Sequence, residues 1–270
     1  MQLLNHWGDV LPTGVDLPRT SYPNRRDYGH IGYDSLLNTR DLGGMKGSCG
    51  RLVKKGKLLR SGTLALGTKK DIDLLYSKYD LRAIIDFRNA KERSQLPDPI
   101  ELMPNASLIE AEILSKRLAG ITQERNEPDF AKRLQNQHLD IDDFMTDLYP
   151  QMLTGETGIK GYGLFLSTLF ANLNHTVLWH CHLGRDRCGM GAILVETMLG
   201  VDREEIIDDY LATNLFAPAS YAEKYPASLK YYYAVERAVE PYGGFMGYIT
   251  NVLGITNEQI STFREAHLEP

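Results

Sequence analysis

The chain is poor in cysteine, in net positive charge and in long apolar runs, and each shortage narrows what it can be. Three cysteines among 270 residues, Cys49, Cys181 and Cys188, are too few and too odd in number for the disulfide framework of a secreted domain. A formal net charge of -5 gives no general attraction for nucleic acid or an anionic membrane, so any anion site must be local. No apolar run approaches the roughly 20 residues that a transmembrane segment requires. The opening residues MQLLNHWGDVLPTG lack the basic start and unbroken apolar centre of a secretion signal. A cytoplasmic location is therefore expected, with secretion left open should a signal have been removed. Internal repeats, low-complexity tracts and linkers are missing as well.

What is present is the composition of a globular protein, 43% hydrophobic and 24% charged, long enough to bury a substantial core. Residues 1–34, rich in Pro, Gly, Asn, Asp and Arg, read as an arm or ordered loop ahead of one domain at 35–270. RLVKKGKLLRSG (51–62) predicts a hairpin around Lys55-Gly56. Thr68 and Asp71 have capping-box spacing before a helix with Ile72, Leu74 and Leu75 on its apolar face. LRAIIDF (81–87) and ASLIEAEIL (106–114) predict strands. FAKRLQNQHLDIDDFMTDLYPQML (130–153) predicts two helices, the second broken near Pro150.

A helix over YGLFLSTLFANL (162–173) leads into the strand TVLWH (176–180) and an apolar helix at 188–199. Asp202 and Glu205, again at capping spacing, open a helix that carries Ile206, Ile207, Tyr210 and Leu211 inward, and Thr256 with Gln259 opens the last. Breaks are expected at Pro241-Tyr-Gly-Gly and at Gly254. Strands alternating with helices, and a helix-rich C-terminal third, predict an α/β fold with a central, mainly parallel sheet flanked by helices.

The chemistry concentrates between Trp179 and Met190. The turn from a buried strand into a buried helix lies where α/β sheets bind ligands, with the helix N-terminus facing the site. Gly184 permits a loop conformation that points successive N–H groups at one anion, and Gly189 permits close packing beneath it. Arg187 supplies a planar fork for two oxygens. The same positive field lowers the thiol pKa of Cys181 and makes it a nucleophile for phosphoryl transfer. Asp186 is the nearest candidate to protonate the leaving group and deprotonate water; Asp86, at the end of its strand with Arg88 close by, is the second. A metal site built from His180, His182, Cys181 and Cys188 is set aside, because no second His/Cys cluster exists and two arginines repel a cation. His180 reads as a hydrogen-bonding neighbour of the loop.

HCHLGRDRCG (180–189) resembles the phosphate-binding loop of cysteine-based protein tyrosine phosphatases, H-C-x5-R followed by Ser or Thr and Gly. It is nearer to the bacterial and fungal tyrosine/dual-specificity group that carries H-C-x-x-G-K-D-R-T-G. NTRDLGG (38–44) resembles that group's N-F-R-D-L-G-G, and LLRSGTL, AIIDFRNAKE, GVDREEIIDDYLATN and YGGFMGYITNVLGITNEQI also fit. The resemblance implies a phosphatase-like fold and hydrolysis of phosphate monoesters through a phosphocysteine, without metal or other cofactor. Cys181 then matches the nucleophile, Arg187 the clamp and Asp186 the general acid, with His182, Leu183, Gly184 and Arg185 completing the loop. No counterpart of the movable Trp-Pro-Asp loop of larger tyrosine phosphatases is found, which strengthens Asp186. Substrates implied are phosphotyrosine protein, with dual specificity open, or phosphoinositide, phosphate being the product.

Three departures stand out. Cys188 replaces the Ser or Thr that assists thiolate departure, which puts turnover in question. Arg185 replaces Lys, and Thr39 an aromatic. Cys188 or Cys49 could also capture an oxidised Cys181 as a disulfide. Arg40 and Asp41 are expected to brace the loop holding Gly43 and Gly44, although Arg40 has the reach to meet substrate. The Tyr231–Tyr233 stripe is expected to pack, and a lid drawn from 215–240 stays open. A phosphoinositide phosphatase and a phosphate-binding module with impaired turnover are the alternatives.

Overall fold

The computed structural model describes residues 4–114, 140–217 and 226–270, save positions 9 and 12. Five strands, β1 (Arg40–Asp41), β2 (Leu58–Ser61), β3 (Leu81–Asp86), β4 (Ser107–Glu110) and β5 (Thr176–His180), form one sheet in the order β1-β2-β5-β3-β4. Only β1 runs antiparallel to its neighbour. The mainly parallel sheet expected from the alternation is therefore observed. Side chains alternate across it. Ala83, Ile85, Val177 and Trp179 join the larger core on one face, while Leu59, Ile84 and Leu178 join the smaller core on the other. That period of two follows from strand geometry, with both faces covered as parallel strands require.

Helices α1 (Lys69–Lys78), α2 (Ala90–Gln95), α3 (Ile141–Thr154), α4 (Glu156–Ala171), α5 (Asp186–Leu199) and α6 (Arg203–Phe216) follow the strands. The C-terminal part adds α7 (Leu229–Val239), α8 (Gly244–Asn251) and α9 (Asn257–His267). Among the described residues no helix is long and apolar enough to cross a membrane.

Several local expectations give way to tertiary structure. The hairpin at 51–62 does not form: Val53 bridges Leu268 and Leu52 bridges Lys46, because β1 and β5 occupy the two edges of β2. α3 continues through Pro150. Burial of Leu148, Tyr149, Met152 and Leu153 offsets the missing N–H, a loss of about 3 kcal/mol in a helix interior. The first of the two helices predicted over 130–153 lies outside the described residues. Thr68 caps α1, but Asp71 leaves its half of the box to accept from Ser35 N and Oγ at 2.7 and 2.5 Å. Leu74 is exposed. Asp202 makes no side-chain cap, and Glu205 instead accepts from Lys46 N at 3.2 Å. The Thr256–Gln259 box closes both ways. Tyr231 and Tyr232 are buried on α7 while Tyr233 is exposed, and positions 218–225 of the supposed lid lie outside the described residues.

One buried carboxylate ties the sheet edge to α6. Asp209 accepts from Arg25 at 2.7 Å, Arg40 at 2.9 Å and Arg60 at 2.6 Å, all out of solvent. Beside it on α5, burial and the Asp209 charge push the carboxyl of Glu196 well above its usual range. Removing one partner of a buried ion pair leaves charge uncompensated. Asp209→Asn is expected to cost about 3–5 kcal/mol in urea unfolding; a loss near the surface-pair level of about 1 kcal/mol would contradict it. Glu196 has the opposite sign. Its folded pKa is raised, so the folded state holds a proton that the unfolded state releases, and wild-type stability falls as pH rises above the unfolded carboxyl pKa. Glu196→Gln should therefore be more stable than wild type at neutral pH, with the gain fading as pH falls through about 4.3. Paired urea titrations across that range check it.

Candidate functional site

The parallel strands bring their carboxyl ends to one edge, where Ser61, His180 and Asp86 stand in register. Cys181 follows directly. The loop then turns at Gly184, whose φ is +66°; a Cβ there would come within 2.7 Å of Gly62 N, so only glycine fits. α5 begins at Asp186 and aims its N-terminus at the sheet edge, adding the positive end of its dipole. Among the described residues, the N–H groups of His182, Leu183, Gly184 and Arg187 donate to no backbone carbonyl. These N–H groups are left over from the backbone ladder.

Cys181 is 2% exposed. Burial alone pushes its thiol up; hydrogen bonds from the thiol and backbone N–H of Cys188, together with the Arg187 charge, outweigh burial and bring it down to about 6. Asp186 opposes this with its own charge. Cys188, wholly buried, is pushed well above the usual range by burial and by Cys181, so it keeps its proton. Its sulfur also lies 3.6 Å from Ser61 O and 3.9 Å from Trp179 O. Cys49 is exposed.

Arg187 is held by the carboxylate of Glu92, Nη1 to Oε2 at 2.8 Å and Nη2 to Oε1 at 3.0 Å, and Nη1 also reaches Phe87 O at 3.3 Å. Burial works against its charge, and Glu92 overcomes it. Arg187 Nε is buried without a partner among the described residues. Glu92 itself closes a capping box with Asn89 at the start of α2. Arg185, 1% exposed, reaches back to Asp186, Nε to Oδ1 at 3.0 Å and Nη2 to Oδ2 at 3.3 Å. Burial, then Arg187, lowers His182 to about 4, leaving it neutral.

Asp86 belongs to a separate buried network. Arg88 donates to it from Nε at 2.9 Å and Nη2 at 2.8 Å, and Arg88 Nη2 also lies 2.8 Å from Asp98. His180 Nε2 sits 3.0 Å from Asp98 Oδ2, and its Nδ1 lies 3.3 Å from Cys181 O. Burial disfavours the imidazolium, but Asp86 and Asp98 raise its pKa. Asp86, Asp98 and His180 offer donor atoms within 4.8 Å of one another, yet Arg88 already supplies the positive charge that a cation would bring.

Arg40 is engaged by partners outside the loop. Its Nε meets Asn38 at 3.1 Å, Nη1 meets Asp209 and Nη2 meets Thr213 at 3.1 Å. Asp41 accepts from Gly43 N at 2.8 Å and Gly56 N at 2.7 Å, the bracing role expected. Thr39 Oγ1 lies 2.7 Å from Ser61 Oγ. Sequence reasoning did not single out Glu92, Asp98, Arg60, Tyr149 or Asp209. Asn89-Ala-Lys-Glu92 has capping-box spacing directly after a strand, and that signal would have placed Glu92 at the sheet edge.

Cys181 and the buried Arg187 stand at the junction of a parallel strand and a helix N-terminus, the arrangement expected of a phosphate-binding loop. The match of residues 31–269 to the tyrosine phosphatase family model then makes the membership plain: the chain belongs to the tyrosine phosphatase family. It is 30% identical over 188 residues to the "Putative tyrosine-protein phosphatase" of Cupriavidus necator, covering 68% of this chain and 63% of that one. It is 36% identical over 75 residues to the triple specificity protein phosphatase PtpB of Mycobacterium tuberculosis, covering 28% of this chain and 26% of that one. The chain thus matches less than two thirds of either relative's length. A kinase associated phosphatase with its catalytic cysteine replaced by serine is similar at a TM-score of 0.42 and 14% identity, over 77% of this chain and 97% of that one.

If Cys188 supplies the hydrogen bond that lowers Cys181, the two thiols have a testable signature. Iodoacetamide alkylation of Cys181 should titrate with a midpoint near 6. Cys188→Ala should move that midpoint upward, whereas Cys188→Ser should hold it. An unchanged midpoint in the alanine variant would assign the shift to Arg187 alone.

Proposed function

We propose that this protein hydrolyses phosphate monoesters through a phosphocysteine on Cys181, with phosphotyrosine in protein as the favoured substrate. The observation that carries the reading is Cys181, buried at the strand end with its thiol brought down to about 6, beside an Arg187 whose Nε is unpartnered among the described residues. The loop N–H groups and Arg187 Nε would receive the phosphate oxygens. The Cys181 thiolate attacks phosphorus, and the bond to the leaving oxygen breaks as Asp186 delivers a proton to that oxygen. Water then attacks the phosphocysteine, its proton passes to Asp186, and the P–S bond breaks to return the thiolate. The Cys188 thiol, which acts on the Cys181 pKa, would donate to that returning sulfur.

Asp186 is the better acid candidate of the two. It lies in the loop itself, whereas Asp86 belongs to the separate network of Arg88, Asp98 and His180. A buried nucleophile at the base of a loop suits a long aryl phosphate, and dual specificity remains a matter of substrate reach. No step requires a metal. The residues 35–270 are taken as the unit that performs the reaction.

Stopped-flow hydrolysis of an aryl phosphate, in the presence of chelator, tests this. Wild type should release a burst equal to the enzyme concentration and then turn over. Cys181→Ser should release none. Product formed equally by Cys181→Ser, or abolished by the chelator in wild type, would sink the thiolate mechanism. A burst without turnover would identify hydrolysis of the phosphocysteine as the step that Cys188 limits.

A further inference from the structure

Asp186 has a second buried neighbour that its own loop does not supply. Tyr149, on α3, donates its hydroxyl to Asp186 Oδ1, the oxygen that also accepts from Arg185 Nε at 3.0 Å. Tyr149 is 0% exposed and Asp186 2%. The Tyr149 ring is held from two sides, edge-on to Tyr210 of α6 at 6.4 Å and tilted against Tyr231 of α7 at 5.0 Å between centroids. The hydroxyl of Tyr231 turns elsewhere, to Asp142 Oδ1 at 2.5 Å.

We propose that Tyr149 is a positioning residue for the reaction, fixing the carboxyl group of Asp186 and favouring its ionised form. The inference rests on the reading of Asp186 as the proton-transferring group. Among the described residues, Arg185 from the loop, Tyr149 from α3, Tyr210 from α6 and Cys181 at the end of β5 act on that carboxyl. Hydrogen bonds donated to a carboxylate strengthen with its charge, so Tyr149 and Arg185 favour the carboxylate. The nearby thiolate and an incoming phosphate favour the acid. Once Cys181 carries phosphorus its negative charge is gone, and the balance moves to the carboxylate, the form that takes a proton from water. Burial and the Asp186 charge hold the proton of Tyr149 far above the working range. The tyrosine therefore donates throughout and transfers nothing.

The test is the pH dependence of the burst rate with a poorly activated aryl phosphate, a step that needs Asp186 protonated. Asp186→Asn should abolish the alkaline limb of wild type. Tyr149→Phe should move that limb up by about one pH unit, the size of a lost hydrogen bond to a charged group, with KM little changed. Placing 3-fluorotyrosine at position 149, a stronger donor of nearly the same volume, should move it down. Tyr231→Phe, which alters the same ring cluster but keeps the bond from Tyr149 to Asp186, should leave it in place. A limb that Asp186→Asn abolishes but that neither change at Tyr149 shifts overturns this inference alone. A limb that survives in Asp186→Asn, or a wild type with no burst, overturns the acid assignment or the thiolate reading together with it.

Discussion

Much of this molecule hangs on a single carboxylate. Asp209 is reached by Arg25 from the N-terminal segment, Arg40 from β1 and Arg60 from β2. The other arm of Arg60 donates to Gly184 O at 2.9 Å, inside the loop itself. One acid thus fixes where the leading segment, the sheet edge and the anion loop sit relative to α6. Three guanidinium groups on one carboxylate leave a surplus of positive charge. Burial, with its two competitors opposing Asp209, drops Arg40 to about 9. Such a cluster adds little net stability for its desolvation cost, but breaking it is expensive because every remaining charge is stranded. Its value lies in placement: a buried charge accepts only one arrangement of its neighbours.

In front of the loop the accounting is different. Arg187 is matched by Glu92, Arg185 by Asp186, and Arg88 by Asp86 and Asp98. These charges nearly cancel locally, so field strength alone does not explain the acid shift of Cys181. The hydrogen bond from Cys188 stands ahead of the Arg187 charge among its causes. In the proposed reaction, affinity for an anion would come from elements the ion pairs do not consume: the loop N–H groups, the end of α5 and Arg187 Nε, unpartnered among the described residues. Glu92 holds the guanidinium plane by both Nη atoms and so turns Nε away from itself, which leaves it for an anion.

The sequence made the loop legible because its requirements are local. Cys181, Gly184, Asp186 and Arg187 follow from a strand, a turn and a helix start that lie within ten residues. The sheet was legible from alternation, since LRAIIDF and TVLWH carry too little polarity to lie anywhere but inside. What stayed hidden is long-range. Glu92 is 95 residues from Arg187 and Tyr149 is 37 from Asp186, and no spacing rule links residues so far apart. Pro150 and the 51–62 pair misled for the same reason. Propensity predicts a break and a hairpin, while the core and the pairing of both edges of β2 by β1 and β5 decide otherwise. Capping boxes show the pull of tertiary partners too: Thr256–Gln259 closes, Asp71 and Glu205 are recruited by Ser35 and Lys46, and Glu92 both closes its box and holds Arg187.

Cys188 is where local and long-range demands meet. A hydroxyl at that position would be a strong donor with a short reach; a thiol is a weaker donor with a larger, more polarisable atom. In the resting loop its sulfur lies near Ser61 O and Trp179 O as well as acting on Cys181, and burial with its raised pKa keeps its proton in place. In the proposed reaction, phosphorylation of Cys181 removes the negative charge that this proton serves, leaving Ser61 O and Trp179 O as its neighbouring acceptors. When water displaces the sulfur, the thiolate reappears and the donor bond re-forms. A weaker donor stabilises the thiolate less both at rest and as it leaves phosphorus, so in the proposed reaction a hydroxyl at this position would lower the barrier to its release.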